Sequence, residues 1–202
     1  FNPQVVRSLF NIYNVKAGDN ILDPFCGSGT TLVESAHDNI SANGTDINPL
    51  AVFIANAKID ALSVSAIDIT MSKEMFFKKH LSIKSKLVLD DTDQRIQYLK
   101  NWFPLDILTD IEALRLSALE LNTSISNIFL VIVSNLLRDY SLQEPSDLRI
   151  RRRFSPFPEI PLIQQLKTSI DFFVSNLKEF QTSFIPIKSS NKAFNSDIKN
   201  SK

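Results

Sequence analysis

Apolar positions recur at helical spacing over residues 3–13, PQVVRSLFNIY, where Val5, Val6, Leu9, Phe10 and Tyr13 share a face behind a proline suited to a first turn. A turn, AGDN, leads into ILDPF, a brief apolar run of strand type. GSGTTLVESAHDN then sets Leu32, Val33 and Ala36 on one side, as in a helix covering a sheet. ISANGTDI reads as a second short strand. NPLAVFIANAKIDAL reads as a third helix, with Asn48 as its cap and Pro49 at its first position. Alternating helices and strands predict a parallel sheet with covered faces, because parallel neighbours need crossover connections.

From residue 65 onward the pattern is helical. Ile107, Ile111, Leu114, Ala118 and Leu121 mark one face after Pro104, and ISNIFLVIVSNLL is apolar nearly all round, as a buried helix would be. Ile163, Leu166, Ile170, Phe173, Leu177 and Phe180 form the cleanest stripe. Between those last two helices runs RDYSLQEPSDLRIRRRFSPFPEIP, rich in proline and charge and too long for a simple turn. The end, IKSSNKAFNSDIKNSK, reads as a polar tail or linker. The expected domains are therefore an α/β segment over 1–64, a helical segment over 65–183 and a polar linker over 184–202.

Composition narrows the class. The 202 residues are 44% hydrophobic and 22% charged, as in ordinary globular proteins. No apolar run approaches the ~18 residues of a membrane span and no signal-peptide layout opens the chain, so the expected location is cytoplasmic, with no membrane partner. A single cysteine and two distant histidines make neither a disulfide nor a metal cluster, and no metal is expected. Net charge is zero, but residues 1–60 hold three basic against six acidic side chains, and the remainder nineteen against sixteen. A slightly basic second part suits a polyanion.

The chemistry concentrates in ILDPFCGSGTTLVE, which holds two of only four glycines in the chain, Gly27 and Gly29. A glycine turn between a buried strand and a helix brings backbone N–H groups and a positive helix end up to a ligand. Asp46 closes the next strand, where an acidic side chain accepts hydrogen bonds from the ribose hydroxyls of an adenosine-containing cofactor. A pyrophosphate binder would carry a third glycine at Leu32, and Asp23 at the mouth of the turn would repel phosphates. A carboxylate there suits a cationic ligand, and S-adenosylmethionine carries an ammonium and a sulfonium.

DPFCGSGTT resembles motif I of the amino-group DNA methyltransferases, which methylate adenine N6 or cytosine N4, and GTDINPLA is similar to the segment that follows it there. FNPQVV resembles the motif that precedes the cofactor loop in many members. The resemblance covers roughly residues 1–60. It implies a Rossmann-like class I methyltransferase core, present in part, with an all-helical insertion that contributes to target recognition. It gives Asp23, Pro24, Phe25, Cys26, Gly27 and Gly29 to the cofactor loop, Thr30 and Thr31 to the helix start, and Asp46 with Ile47 to the ribose end. Phe1 and Pro3 would lie near the methionine part. The cofactor implied is S-adenosylmethionine, and the partner double-stranded DNA with its target base flipped out.

The family's catalytic motif, Asp, Asn or Ser followed by Pro-Pro and Tyr or Phe, is absent from the sequence. FSPFPE, from Phe154, lacks the second proline. The expectation is a fragment whose catalytic half lies beyond it and would be a partner in the reaction. No catalytic residue is assigned. Arg149, Arg151, Arg152 and Arg153 are candidates for DNA contact, set against an alternative of ion pairs with Glu144, Asp147 and Glu159. Cys26 reads as a packed apolar residue rather than a nucleophile, Trp102 and Phe103 as core, and His37 and His80 as surface residues. Two other readings stay open: an RNA base methyltransferase, and a non-catalytic cofactor- or DNA-binding module of a restriction or defence system.

Overall fold

The computed structural model describes residues 2–147, 149–183 and 190–197. They divide into two compact units, Phe1–Ser65 with Leu177–Lys202, and Ala66–Asn176.

The first unit contains α1 (Pro3–Ile12), β1 (Asn20–Asp23), α2 (Thr30–His37), β2 (Ser41–Asp46), α3 (Pro49–Ser63) and β3 (Lys192–Asn195). Local chemistry sets the helix starts. The Asn2 side chain accepts from the Gln4 N–H at 2.9 Å and the Asn48 side chain from the Leu50 N–H at 3.0 Å, each just ahead of a proline that has no N–H to satisfy.

The strands form a parallel sheet in the order β1-β2-β3, with Asp23 opposite Gly44 and Asp46 opposite Asn195. All three therefore end on the same edge. One face is packed: Ala42, Ala193 and Ile21 lie against Leu32 of α2 and against Val52, Ala55 and Ile59 of α3. A second cluster joins Val6 and Phe10 of α1 to Ile40, with Val15 and Ile21 beside them. On the alternate positions Leu22, Asn43, Lys192 and Phe194 are exposed. The expectation of two covered faces thus fails for these residues.

β3 also corrects the expectation of a polar tail over 184–202, at least for Lys192–Asn195; residues 184–189 and 198–202 lie outside the described residues. Its apolar content is small because side-chain amides replace it. Asn191, buried, accepts from the Ala42 N–H at 2.8 Å and donates to Leu32 O at 3.0 Å. Asn56 of α3 clamps the peptide of Ala193, accepting from its N–H at 2.9 Å and donating to its carbonyl at 3.0 Å. A side-chain amide reproduces the donor and acceptor that a neighbouring strand would offer.

The second unit is built from α4 (Ala66–Lys84), α5 (Gln94–Lys100), α6 (Leu105–Ala118), α7 (Thr123–Leu136) and the greater part of α8 (Leu162–Ser183), which from Leu177 onward belongs to the first unit. The helical segment therefore gives up the end of its last helix. α4 runs along α6, and α6 along α7. Phe76 and Phe129 meet at 5.0 Å between ring centroids inside a core that includes Ile69, Leu108, Leu114, Leu166 and Ile170. In α8 the buried residues are Leu162, Leu166, Ile170, Val174 and Leu177, whereas Ile163, Phe173 and Phe180 of the expected stripe are half-buried.

Buried acids hold the bundle as well. Asp110 receives His80 Nε2 at 2.8 Å and Lys84 Nζ at 2.6 Å, and Glu112 takes a two-pronged bond from Arg95 at 2.7 and 2.6 Å. Burial pushes both acids upward, but these donors outweigh it and hold their pKa values below the ordinary ones. His80 is 2% exposed, so it is a core residue and not the surface residue that its isolation in sequence suggested. Its partner lies 30 residues away, at a separation that no local pattern reveals.

Candidate cofactor site

Asp23, the last residue of β1, starts a turn that crosses the carboxyl edge of the sheet. Its Oδ1 accepts from the Phe25 N–H at 3.1 Å. The turn is pinned to β2 twice, by the Cys26 N–H donating to Thr45 O at 3.0 Å and by Thr45 Oγ1 donating to Pro24 O at 3.1 Å. Lys58 of α3 reaches across from the other side, to Ser28 O at 3.0 Å and Oγ at 3.1 Å.

Asp46 ties the turn to the end of β2. Its Oδ2 accepts from the Gly27 N–H at 3.0 Å and its Oδ1 from the Asn48 N–H at 2.8 Å. A carboxylate has about four acceptor positions, so two remain for hydroxyl groups of a ligand. The side chain is thereby fixed in direction before anything binds.

Gly29 makes this geometry possible. It sits in the left-handed region at φ +80 and caps α2 with no side chain, and a Cβ there would stand 2.7 Å from Cβ of Ala55. The start of α2 can therefore pack against α3 while its N-terminal end faces the turn. At Gly27 nothing stands within 4 Å of the place a Cβ would occupy, so the backbone is open to close approach on that side.

Cys26 is 6% exposed and lies in the apolar cluster under the turn. Burial, and then the carboxylates of Asp23 and Asp46, push its thiol up to about 11. It is a packed thiol, and these surroundings disfavour its thiolate. Around the turn the apolar side chains of Phe25, Ile47 and Leu50 are exposed, at 70%, 74% and 59%. They supply apolar surface beside two carboxylates.

The structure thus brings together Asp23, Pro24, Phe25, Cys26, Gly27, Gly29, Thr30, Thr31, Asp46 and Ile47. Pro3 opens α1, which packs on α2 with the help of an ion pair between Arg7 and the buried Glu34 at 2.5 Å. Phe1 lies outside the described residues. Asn195 is a further candidate that no sequence pattern revealed: at the end of β3 it donates to Asp46 O at 3.1 Å and Ile47 O at 3.0 Å. Only the short alternation in KAFN hinted at a strand there.

The arginines divide. Arg149 and Arg151 pair with Asp147 at 3.4 and 3.1 Å and stay largely exposed. Arg152 donates to Asn101 O and lies over the Trp102 ring at 5.2 Å. Arg153 is consumed by backbone carbonyls, among them Asp139 O at 2.7 Å and Pro156 O at 2.6 Å, and lies over Phe157. Glu144, 1% exposed, makes no ion pair with them; it accepts from Ser146 Oγ at 2.6 Å, from the Phe154 N–H at 3.3 Å and from the Ser155 N–H at 3.2 Å. FSPFPE is therefore part of a loop lock. Among the described residues no group of three or more His, Cys, Asp or Glu side chains could hold a metal ion, and no single helix is long and apolar enough to cross a membrane.

A glycine turn between a parallel strand and a helix, with an acid at the end of each of two adjacent strands, fits an α/β class I methyltransferase fold. The comparisons agree. Residues 1–83 match the UPF0020 family, described as the RMKL-like methyltransferase domain. The chain is 45% identical over 47 residues to a tRNA (guanine(10)-N2)-dimethyltransferase of Methanothermobacter thermautotrophicus, covering 23% of this chain and 14% of that protein. It is 32% identical over 111 residues to the Type II methyltransferase M.MjaII of Methanocaldococcus jannaschii, covering 52% and 20%. To the Type II methyltransferase M.MvaI of Kocuria varians it is 27% identical over 139 residues, covering 65% and 30%. The chain thus spans less than a third of the length of these curated relatives. No solved structure matches it. The resemblance to the amino-group DNA methyltransferases is upheld, and the methyltransferases that this segment resembles use S-adenosylmethionine.

Proposed function

We propose that this chain is the cofactor-binding part of an S-adenosylmethionine-dependent methyltransferase acting on an exocyclic amine of a DNA base, with its second unit an insertion that contacts the target. The observation that carries the reading is the pair of acids at the ends of β1 and β2, joined by a turn whose Gly27 N–H is held by Asp46.

The residues fit the cofactor on their own chemistry. Asp46 is fixed by two backbone N–H groups and keeps acceptor positions for the ribose hydroxyls. Asp23 places a negative charge at the mouth of the turn, where a cation is favoured. The start of α2, where Gly29 has no side chain to stand in the way, offers its positive end to a carboxylate. Phe25 and Ile47 give apolar surface for a purine. When bound, the cofactor supplies an electrophilic methyl on sulfonium. The chain's part is then to hold that methyl in line for the incoming nitrogen, an orientation effect that lowers the barrier to transfer.

Two further features support DNA. The Type II methyltransferases match over half or more of the chain, into the helical unit, whereas the tRNA enzymes match over 23%. Arg149 and Arg151 are exposed on that unit. The tRNA reading has its own support in the higher local identity, and guanine N2 is also an exocyclic amine. We place the reaction in the cytoplasm, where a DNA methyltransferase of this kind meets its substrate.

Filter binding in the presence of S-adenosylmethionine decides between the polymers. A labelled DNA duplex with a mispaired base should be retained more tightly than its fully paired counterpart, because the base costs less to extrude. Tighter retention of tRNA than of either duplex would overturn the DNA reading.

A further inference from the structure

The helical unit contains a cavity of about 360 Å³ between the end of α5, the end of α7 and the arginine-bearing loop, within the ~300–1,000 Å³ typical of small-molecule sites. Its walls include Tyr98, Trp102, Phe103, Leu137, Arg138 and Ile150. The loop forms its rim because residues 142–144 run antiparallel to 151–153, with Glu144 N–H to Arg151 O at 2.9 Å and Arg153 N–H to Leu142 O at 2.8 Å. The sequence reading made Trp102 and Phe103 core residues. Instead, both are half-buried and line this space.

Two polar atoms of these residues are enclosed by the protein itself and unsatisfied. Trp102 Nε1 and Arg138 Nε are buried and have no hydrogen-bond partner among the described residues. Both are donors only. Arg138 is otherwise held by carbonyls, its Nη2 donating to Asp147 O and to Glu144 O at 3.5 Å, so its place is fixed. Tyr98 and Trp102 stand 6.5 Å apart between centroids, tilted by 55°, and the Arg152 guanidinium lies over the indole. Arg149 and Arg151, on the same loop, are 74% and 54% exposed.

A ligand that answers the walls and the rim is flat and brings negative charge with it. Aromatic walls favour a planar ring, and exposed arginines on the rim loop call for an anion. We propose that this cavity binds a single unstacked nucleobase against the rings of Tyr98 and Trp102, with Arg149 and Arg151 meeting the attached phosphates. The proposal rests on reading the second unit as the part that contacts nucleic acid. It adds a base-holding pocket on that unit, distinct from the cofactor turn.

Trp102 is the only tryptophan in the chain, so its emission reports on the cavity alone. The probes are dGMP and short single-stranded DNA and RNA of one sequence, titrated into the whole chain, with oligonucleotide binding followed in parallel by anisotropy of a labelled copy. The expected result is saturable quenching of Trp102 that follows oligonucleotide binding, the stronger response of DNA or RNA showing which polymer supplies the base. Ile150→Glu puts a carboxylate at a position 75% exposed, where the fold does not depend on it, and should weaken the quenching titration by about tenfold or more with an unchanged circular dichroism spectrum. Tyr98→Ala should weaken it similarly through lost stacking. Oligonucleotide binding that leaves Trp102 emission unaltered would overturn the pocket while sparing the role of the unit. Absence of any oligonucleotide binding would overturn both. An Ile150→Glu protein that titrates like the wild type would also sink the pocket. S-adenosylmethionine binding, measured on the same samples, should be the same in all variants, which keeps a failure of the cofactor reading distinguishable.

Discussion

Gly44 shows how narrowly single positions are fixed in the first unit. A Cβ there would stand 2.6 Å from Cys26 Cβ and 2.8 Å from both Cys26 Sγ and Leu32 Cδ1, with β2 and the turn both held by backbone bonds. Gly44→Ala should therefore destabilise the protein by about 1–3 kcal/mol, the usual range for overpacking, read as a shift in urea midpoint. Cys26, across from it, should react slowly with iodoacetamide at pH 8, because burial and two nearby carboxylates keep the thiol protonated up to about 11. Unfolding in urea should release normal thiol reactivity. Fast alkylation of the folded chain would mean that the turn is open.

Asp46 serves the fold and the site together. Asp46→Asn retains one acceptor oxygen but loses the charge, and it should weaken S-adenosylmethionine binding by about tenfold or more, as expected when a hydrogen bond to a charged group is degraded. Equilibrium dialysis measures this. Affinity within twofold of the wild type would remove Asp46 from the cofactor's contacts.

At the scale of elements, the loop between α7 and α8 is organised by an acid instead of an apolar core. Hydrogen bonding from Ser146 first, and then the backbone N–H groups of Ser155 and Phe154, hold the Glu144 carboxyl at about 2 against an ordinary 4.5. A depressed carboxyl pKa means that the unfolded chain takes up the proton first on acidification. The contribution is fully present above about pH 4.5 and is lost as pH falls toward 2. Glu144→Gln should lower the urea midpoint at pH 7, and the gap to the wild type should shrink steadily below pH 4.5. A gap that is independent of pH would contradict the assignment.

The elements also differ in how far the sequence reveals them. α1, β1, α2, β2 and α3 were legible because each carries its own signal: a capping asparagine before proline, a short apolar run, a glycine pair. β3 was not. It is held by Asn191 and Asn56, whose partners lie 149 and 137 residues away, and polar residues that act through distant backbone look like linker when read locally. The turn was readable down to Asp46 for the converse reason, since the bonds that tie its backbone to Asp23, Thr45 and Asp46 span at most 21 residues. The basic cluster was readable as charge but not as structure: which arginine faces solvent and which is consumed by carbonyls depends on how the loop folds back.

At the scale of the whole molecule, each unit has its own core, and the chemistry divides the same way. The first unit carries the paired acids, and the second carries the aromatic cavity and the exposed arginines. The sheet presents exposed Leu22 and Phe194 on the face opposite α2 and α3, an apolar surface unlike that of a parallel sheet covered on both sides.

Everything assigned to the first unit depends on its turn binding a cationic adenosine cofactor. Isothermal titration of S-adenosylmethionine into the 202-residue chain tests this most directly, alongside Asp23→Asn, which keeps the acceptor for the Phe25 N–H and removes the charge. The account predicts one saturable site per chain, weakened several-fold or more by the substitution. Heats that never saturate in the wild type, or binding that is indifferent to the loss of Asp23's charge, would contradict it.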